Sequence, residues 1–149
     1  MANIALVTAN KVEIVGAPAV QLTAPAGEAI APGAPVRLNT SGQFVNGNAT
    51  TTTENNIWGI ATGQKAIVAG WPVTAVRIGI LDGFNFADQD HGENIFLSDT
   101  DATLADSPGT TVMVVGTVVP GHGELLGSAP KKLLYVQITD DLAFLDTNT

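Results

Sequence analysis

Four residues that could do chemistry together lie within six positions: Asp88, Asp90, His91 and Glu93, in the run ADQDHGEN. Carboxylates and an imidazole at that density are what a divalent cation takes as ligands. A calcium loop of the EF-hand type requires an oxygen ligand at its fifth position, glycine at its sixth and glutamate at its twelfth. Counted from Asp88, those positions hold Gly92, Glu93 and Asp99, so the pattern fails and the segment reads as a solvated acidic turn.

The other reactive residue types are equally unassembled. His122 stands between two glycines with no partner marked in the sequence. Asp99, Asp101 and Asp106 flank a turn, where aspartate accepts from backbone donors. Ser41, Ser98, Ser107 and Ser128 all lie in polar turns rather than in a nucleophile elbow. Cysteine is absent, which removes thiolate catalysis, thiolate metal sites and disulfides. Gly121-His122-Gly123 lacks the third glycine of a phosphate loop, and no Lys-Ser/Thr pair follows any glycine. Trp58 and Trp71 each adjoin Gly or Pro beside a strand; sugar stacking is one use for such rings, and packing is the commoner one. These motifs point to no enzyme, no cofactor and no metal.

Composition narrows the classes further. A chain of 149 residues is one domain, large enough to bury a core without staples. Charged residues are 13% of it, against an ordinary proportion of about a quarter, and 45% are hydrophobic. A surface so poor in charge implies that partners cover part of it. The net charge is −8, and the six bases (Lys11, Arg37, Lys65, Arg77, Lys131, Lys132) are scattered, which excludes the phosphate-binding patch that nucleic acid requires. No apolar run reaches the roughly 20 residues that span a bilayer. The start, MANIALVTANKVEIV, lacks the basic and long apolar regions of a secretory signal, so a soluble protein made in a cytoplasm is expected.

The elements that carry these residues are short strands. Residues 92–119 read as strand, polar turn, strand, loop and an apolar run broken by one glycine, and a weaker copy begins at Pro35. Val36 and Leu38 match Ile95 and Leu97, Phe44 answers Leu104, and Trp58-Gly59-Ile60-Ala61 answers Val115-Gly116-Thr117-Val118. Residues 36–38 and 43–45 form a hairpin whose turn places Gly42 at a positive φ. The polar run 46–56 suits a mobile surface loop. In residues 72–81 the alternation sets Val76, Ile78 and Ile80 on the buried face. Residues 113–119 are apolar on both faces and predict a central strand, and Leu134, Val136 and Ile138 point inward from the last strand. Beyond it, Thr139 with Asp140 and Asp141 suits the start of a short helical turn, with a flexible tail as the alternative.

Residues 1–20 carry apolar pieces too short to build a core alone. They are expected to form an extended arm that pairs with a neighbour, with Ile4, Leu6, Val12 and Ile14 at the contact. The alternative is that this segment is the first strand of the domain's own sheet. The resulting division is an arm over 1–20, a β-rich domain over 21–139 and a tail over 140–149.

The runs QLTAPAGEAIAPGAPVRL (residues 21–38), GIA (59–61) and NIFLSDTDATLADSPGTTVMVVGTVV (94–119) resemble capsid decoration, or cement, proteins of tailed bacteriophages. The likeness covers about residues 21–138 and omits the polar insert and the acidic turn. It implies a mainly β fold, a compact β-barrel with a β-tulip or β-clip-like core and little helix. It also implies a homotrimer on the outer surface of a virion head, with the major capsid protein as partner and capsid stabilisation as the task. Two other classes are weaker. A carbohydrate-binding or host-adhesion module should carry several loop aromatics. A trimeric all-β enzyme of the deoxyuridine triphosphatase kind needs an Arg-Ser-Ser phosphate motif and a Gly/Asp/Tyr nucleoside motif, whereas the one tyrosine, Tyr135, lies in a bare apolar strand.

Overall fold

A computed structural model describes residues 2–15, 19–121 and 131–138. Among these residues every regular element is a strand: β1 (Asn3–Ile4), β2 (Glu13–Ile14), β3 (Val20–Pro25), β4 (Pro35–Leu38), β5 (Phe44–Asn46), β6 (Gly59–Thr62), β7 (Pro72–Asp82), β8 (Asn94–Leu97), β9 (Leu104–Ala105), β10 (Val114–Pro120) and β11 (Lys132–Gln137). They form one sheet curled into a half-barrel, in the order β1-β9-β8-β10-β11-β7-β6-β4-β5, with β2 and β3 also paired to β7. The expected mainly β fold is what the chain adopts. His122, Thr139 and its acidic neighbours, and the tail 140–149 lie outside the described residues.

The sheet is built twice over from one five-strand unit. Unit one, residues 20–77, runs β5-β4-β6-(72–76 of β7)-β3; unit two, residues 79–136, runs β9-β8-β10-β11-(79–82 of β7). Adding 59 to a number in β3, β4 or the 72–76 part of β7 gives its counterpart in unit two, and adding 60 does so in β5, because the second hairpin loop is one residue longer. Leu22 opposite Ala75 becomes Leu81 opposite Leu134, and Gln21 opposite Val76 becomes Ile80 opposite Tyr135. Likewise Val36 opposite Gly59 becomes Ile95 opposite Gly116, the offset at the sixth and tenth strands being 57 because the preceding loop is shorter. The similarity visible between residues 35–61 and 92–119 is therefore the middle of a longer repeat.

Backbone bonds repeat with the register. In unit one Gly33 donates to Ala61 O and Ala61 to Ala34 O; in unit two Gly92 donates to Val118 O and Val118 to Glu93 O. Each of these glycines ends a tight turn at positive φ, 88° and 89°, where a side chain would strain the backbone. Gly59 and Gly116 repeat for another reason, close approach. A Cβ at Gly59 would lie 2.5 Å from Val76 O, and one at Gly116 would lie 2.1 Å from Tyr135 O. The hairpin turns differ in chemistry and by one residue in length, yet each holds a positive φ two residues before its second strand, 79° at Gly42 and 59° at Ala102.

The two units meet inside β7. Both β6 and β11 pair with the same side of that strand, while β3 and β2 pair with the other side. Against β3 the register skips Arg77, an extra residue that bends the strand where one unit passes into the next. This bulge corrects the expected alternation. Val73 and Ala75 are buried in one core cluster, Val76 and Leu81 in the other, and Ile78 and Ile80 are only half-buried. Strict period-2 counting cannot carry a buried face across an inserted residue.

Other expectations hold. β4 and β5 form the hairpin, β10 lies between β8 and β11, and Leu134, Val136 and Ile138 are buried. The core falls into two clusters. The smaller belongs to unit one and includes Ala26, Ile30, Val36, Phe44 and Ala75. The larger gathers unit two's Ile95, Leu97, Leu104, Val118 and Leu134 with Ile57, Ile60 and Val76 from unit one. Each buried aliphatic side chain contributes about 1.5–3 kcal/mol relative to exposure.

Two expectations are corrected by packing. Residues 46–56 are a surface loop only in part: Thr50–Thr53 and Asn56 are exposed, but the loop is anchored to the rest of the sheet. Ala49 is completely buried, its N–H donates to Ser98 O, its O accepts from Thr111 N and Oγ1, and Asn55 Nδ2 donates to Thr111 Oγ1. The loop clips unit one to unit two, and its Asn48 and Asn55 side chains donate to Asp101 and Thr111 across the clip. The second correction concerns the N-terminal segment. It lies along its own sheet: β1 pairs with β9, Leu6 with Phe84, Val12 with Gly63, and β2 with β7.

Candidate interaction surface

The acidic turn is the counterpart of residues 30–34, IAPGA, which contain no carboxylate. Ala34 N donates to Ala31 O at 3.2 Å, and Glu93 N donates to Asp90 O at the same distance. A turn built identically from Ala and Pro in the other unit does not owe its shape to a cation. The carboxylates of Asp88, Asp90 and Glu93 face water, Glu93 also accepts from Asp90 N, and Gln89 O accepts from Lys132 Nζ. Among the described residues no three metal-ligating side chains converge.

Two of the turn aspartates, Asp99 and Asp106, accept from backbone donors as their positions predict, whereas Asp101 accepts from a side chain. Asp99 accepts from Thr110 N and Oγ1 at 2.8 and 2.9 Å, Asp101 accepts from Asn48 Nδ2, and Asp106 accepts from Ala2 N. A shallow hollow of about 180 Å³ between Val7, Lys11, Glu13, Asp82 and Lys131 contains paired charges, Lys131 with Asp82 and Lys11 with Glu13. Those pairs use each other's charge and leave a hollow without a dominant sign.

The four proposed contact side chains divide. Ile4 and Val12 are buried in the chain's own larger core, and Leu6 and Ile14 pack half-buried against it. The apolar surface of Ile4 and Val12 is spent inside the domain, so the contact reading fails there for a physical reason: a buried side chain offers little or no area to a partner. The two tryptophans also divide. Trp58 packs 5.9 Å from the Phe44 ring and under the Arg77 guanidinium at 5.5 Å, as expected of a structural ring. Trp71 is 62% exposed.

Sequence reading missed the surface that stands out once the repeat is known. β3 reads VQLTAP, and five of its six residues are exposed, including Val20 and Leu22. It is paired to β7 on one side only. At its far end Ala26 N donates to Trp71 O, which sets the exposed Trp71 and Val68 beside the strand. The signal in the sequence was the run itself, six uncharged residues with aliphatic alternation and no lysine to guard an edge. No known family model matches the chain, and no curated protein matches it.

Proposed function

We propose that the chain is a structural virion protein that binds the outer surface of a phage head as a homotrimer and stabilises the mature lattice. The observation that carries this reading is the location of the resembling residues. The run 21–38 supplies β3 and β4 of unit one, the run 94–119 supplies β8, β9 and most of β10 of unit two, and the two meet as counterparts at 35–38 and 94–97. The exposed apolar strand and its neighbouring Trp71 supply the kind of surface that a lattice contact needs. A staple of this kind acts by mass action: it binds the assembled, mature lattice and adds its binding free energy to that state.

The test is binding of the purified chain to expanded heads that lack it. Saturation at a stoichiometry set by the head's symmetry, together with release of DNA from undecorated heads at a lower temperature, is the expected result. No saturable binding, or equal thermal release with and without the chain, contradicts the reading. The exposed ring of Trp71 favours a second reading, a glycan-binding adhesion module on a virion surface. Glycan-array binding lost in Trp71→Ala, with no binding to heads, would select it.

A further inference from the structure

The repeat allows each surface of one unit to be compared with its counterpart in the other. The first strand of unit two, residues 79–84, has its outer edge covered. Glu13 lies opposite Asp82, Ile14 lies opposite Leu81, and Val15 N donates to Ile80 O at 2.8 Å. Leu6 and Val7 continue the cover, Leu6 opposite Phe84 and Val7 N donating to Gly83 O. The counterpart in unit one is β3, and among the described residues nothing pairs with its outer edge.

Outward-pointing backbone groups on β3 follow from the same comparison. Ile80 and Asp82 turn their polar groups toward the covering segment, so Gln21 and Thr23 turn theirs to solvent. The side chains agree: Thr23 and Thr74 touch through their hydroxyls at 2.7 Å, the closeness of a pair that exchanges no backbone bonds. Edges this bare are ordinarily guarded by a charge, a bulge on the open side or a covering loop. Here the guards are missing except for Pro25 at one end. Val20, Leu22, Val68 and Trp71 are four of the eight large apolar side chains exposed on the described surface, and they gather on this strand and the turn beside its end.

We propose that the outer edge of β3 is a docking edge for an extended segment of the lattice protein, added antiparallel with an aliphatic side chain beside Leu22. The register is that of the covered edge: the guest's aliphatic residue takes the place that Ile14 holds opposite Leu81. The choice of guest also follows from the repeat. One chain holds two copies of this edge, and they do not pair with each other. The filled copy takes residues 13–15, which lie outside the repeat. The edge thus takes an extended segment from outside the repeat rather than another copy of itself. This inference rests on the function proposed above, which supplies the lattice protein.

The experiment uses the full chain and expanded heads. Leu22→Lys places a charge on the edge, and Thr23→Pro removes an outward donor without breaking the bonds to β7. A third variant, Leu22→Cys, carries a benzophenone on the chain's single thiol, since the natural sequence has no cysteine. The expected result is unchanged folding by circular dichroism, head binding weakened about tenfold or more in both substituted chains, and a photo-cross-link from position 22 to the lattice protein. Folded variants that bind heads like the natural chain, or a cross-link joining two copies of this chain, overturn the docking edge while leaving the function standing. Failure of the natural chain to bind heads overturns the function and this guest with it.

Discussion

Unit one and unit two share a strand order, a register and a set of turn bonds, yet they bury different things. Leu81 is completely buried where Leu22 is exposed, because residues 13–15 cover one edge and leave the other. The loop 47–57 of unit one is packed onto unit two, while its counterpart in unit two carries the exposed Val112. The difference teaches that the ladder is set by a few backbone constraints repeated at corresponding places, close-approach glycines above all. What covers the ladder is decided separately, by segments outside the repeat.

The comparison breaks most readily at Gly59 and Gly116. Replacing Gly116 with Ala would drive a methyl into the Tyr135 carbonyl, and a loss of about 3 kcal/mol is expected; Gly59→Ala is expected to lose about 2 kcal/mol. Urea unfolding of both variants checks this, and a loss below about 1 kcal/mol in either would mean that the two sites are not equivalent. Next in size is the covered edge against the bare one. Val12→Ala, a core truncation, should cost about 2 kcal/mol, while Leu22→Ala should change stability by no more than about 0.5 kcal/mol. Similar costs for the two would contradict the difference in covering.

The clip between the units gives a smaller effect. Thr111→Val removes the hydroxyl that donates to Ala49 O at 2.8 Å and accepts from Asn55 Nδ2 at 2.9 Å, and a loss of about 1 kcal/mol is expected in thermal unfolding. Smallest is the hairpin turn. Ala102→Gly should raise stability by about 0.5 kcal/mol, and Gly42→Ala should lower it by about 1 kcal/mol, because both positions hold a positive φ. Opposite signs from one pair of changes would sharpen the equivalence of the turns.

Strand–turn–strand grammar made the hairpins and the central β10 legible, since Val36, Phe44, Ile95 and Leu104 keep their apolar character in both units. The ends of the repeat were not legible. Residues 20–25 and 79–84 read VQLTAP and GILDGF, and their equivalence lies in hydrogen-bond register rather than in side-chain chemistry. The extra residue at Arg77 leaves no mark in composition, so strict alternation cannot find the buried face of β7. Ala49 is a lone apolar residue in a Thr/Asn run, and its burial depends on Ser98 and Thr111, about 50 and 60 positions away in the chain. The docking edge was visible as an uncharged run but not as a bare edge, because exposure depends on which segment fills the place beside it.

Native-state hydrogen exchange at paired positions tests the central claim most directly, that the chain is one unit used twice with one edge filled and one open. Ala61 and Val118, Gly33 and Gly92 should exchange at similar, slow rates within each pair, since their N–H groups make the same bonds. Asp82, opposite Glu13, should be protected, and Thr23 in the free chain should exchange many times faster. Unequal protection within the first two pairs, or a Thr23 amide as slow as that of Asp82, would contradict the account.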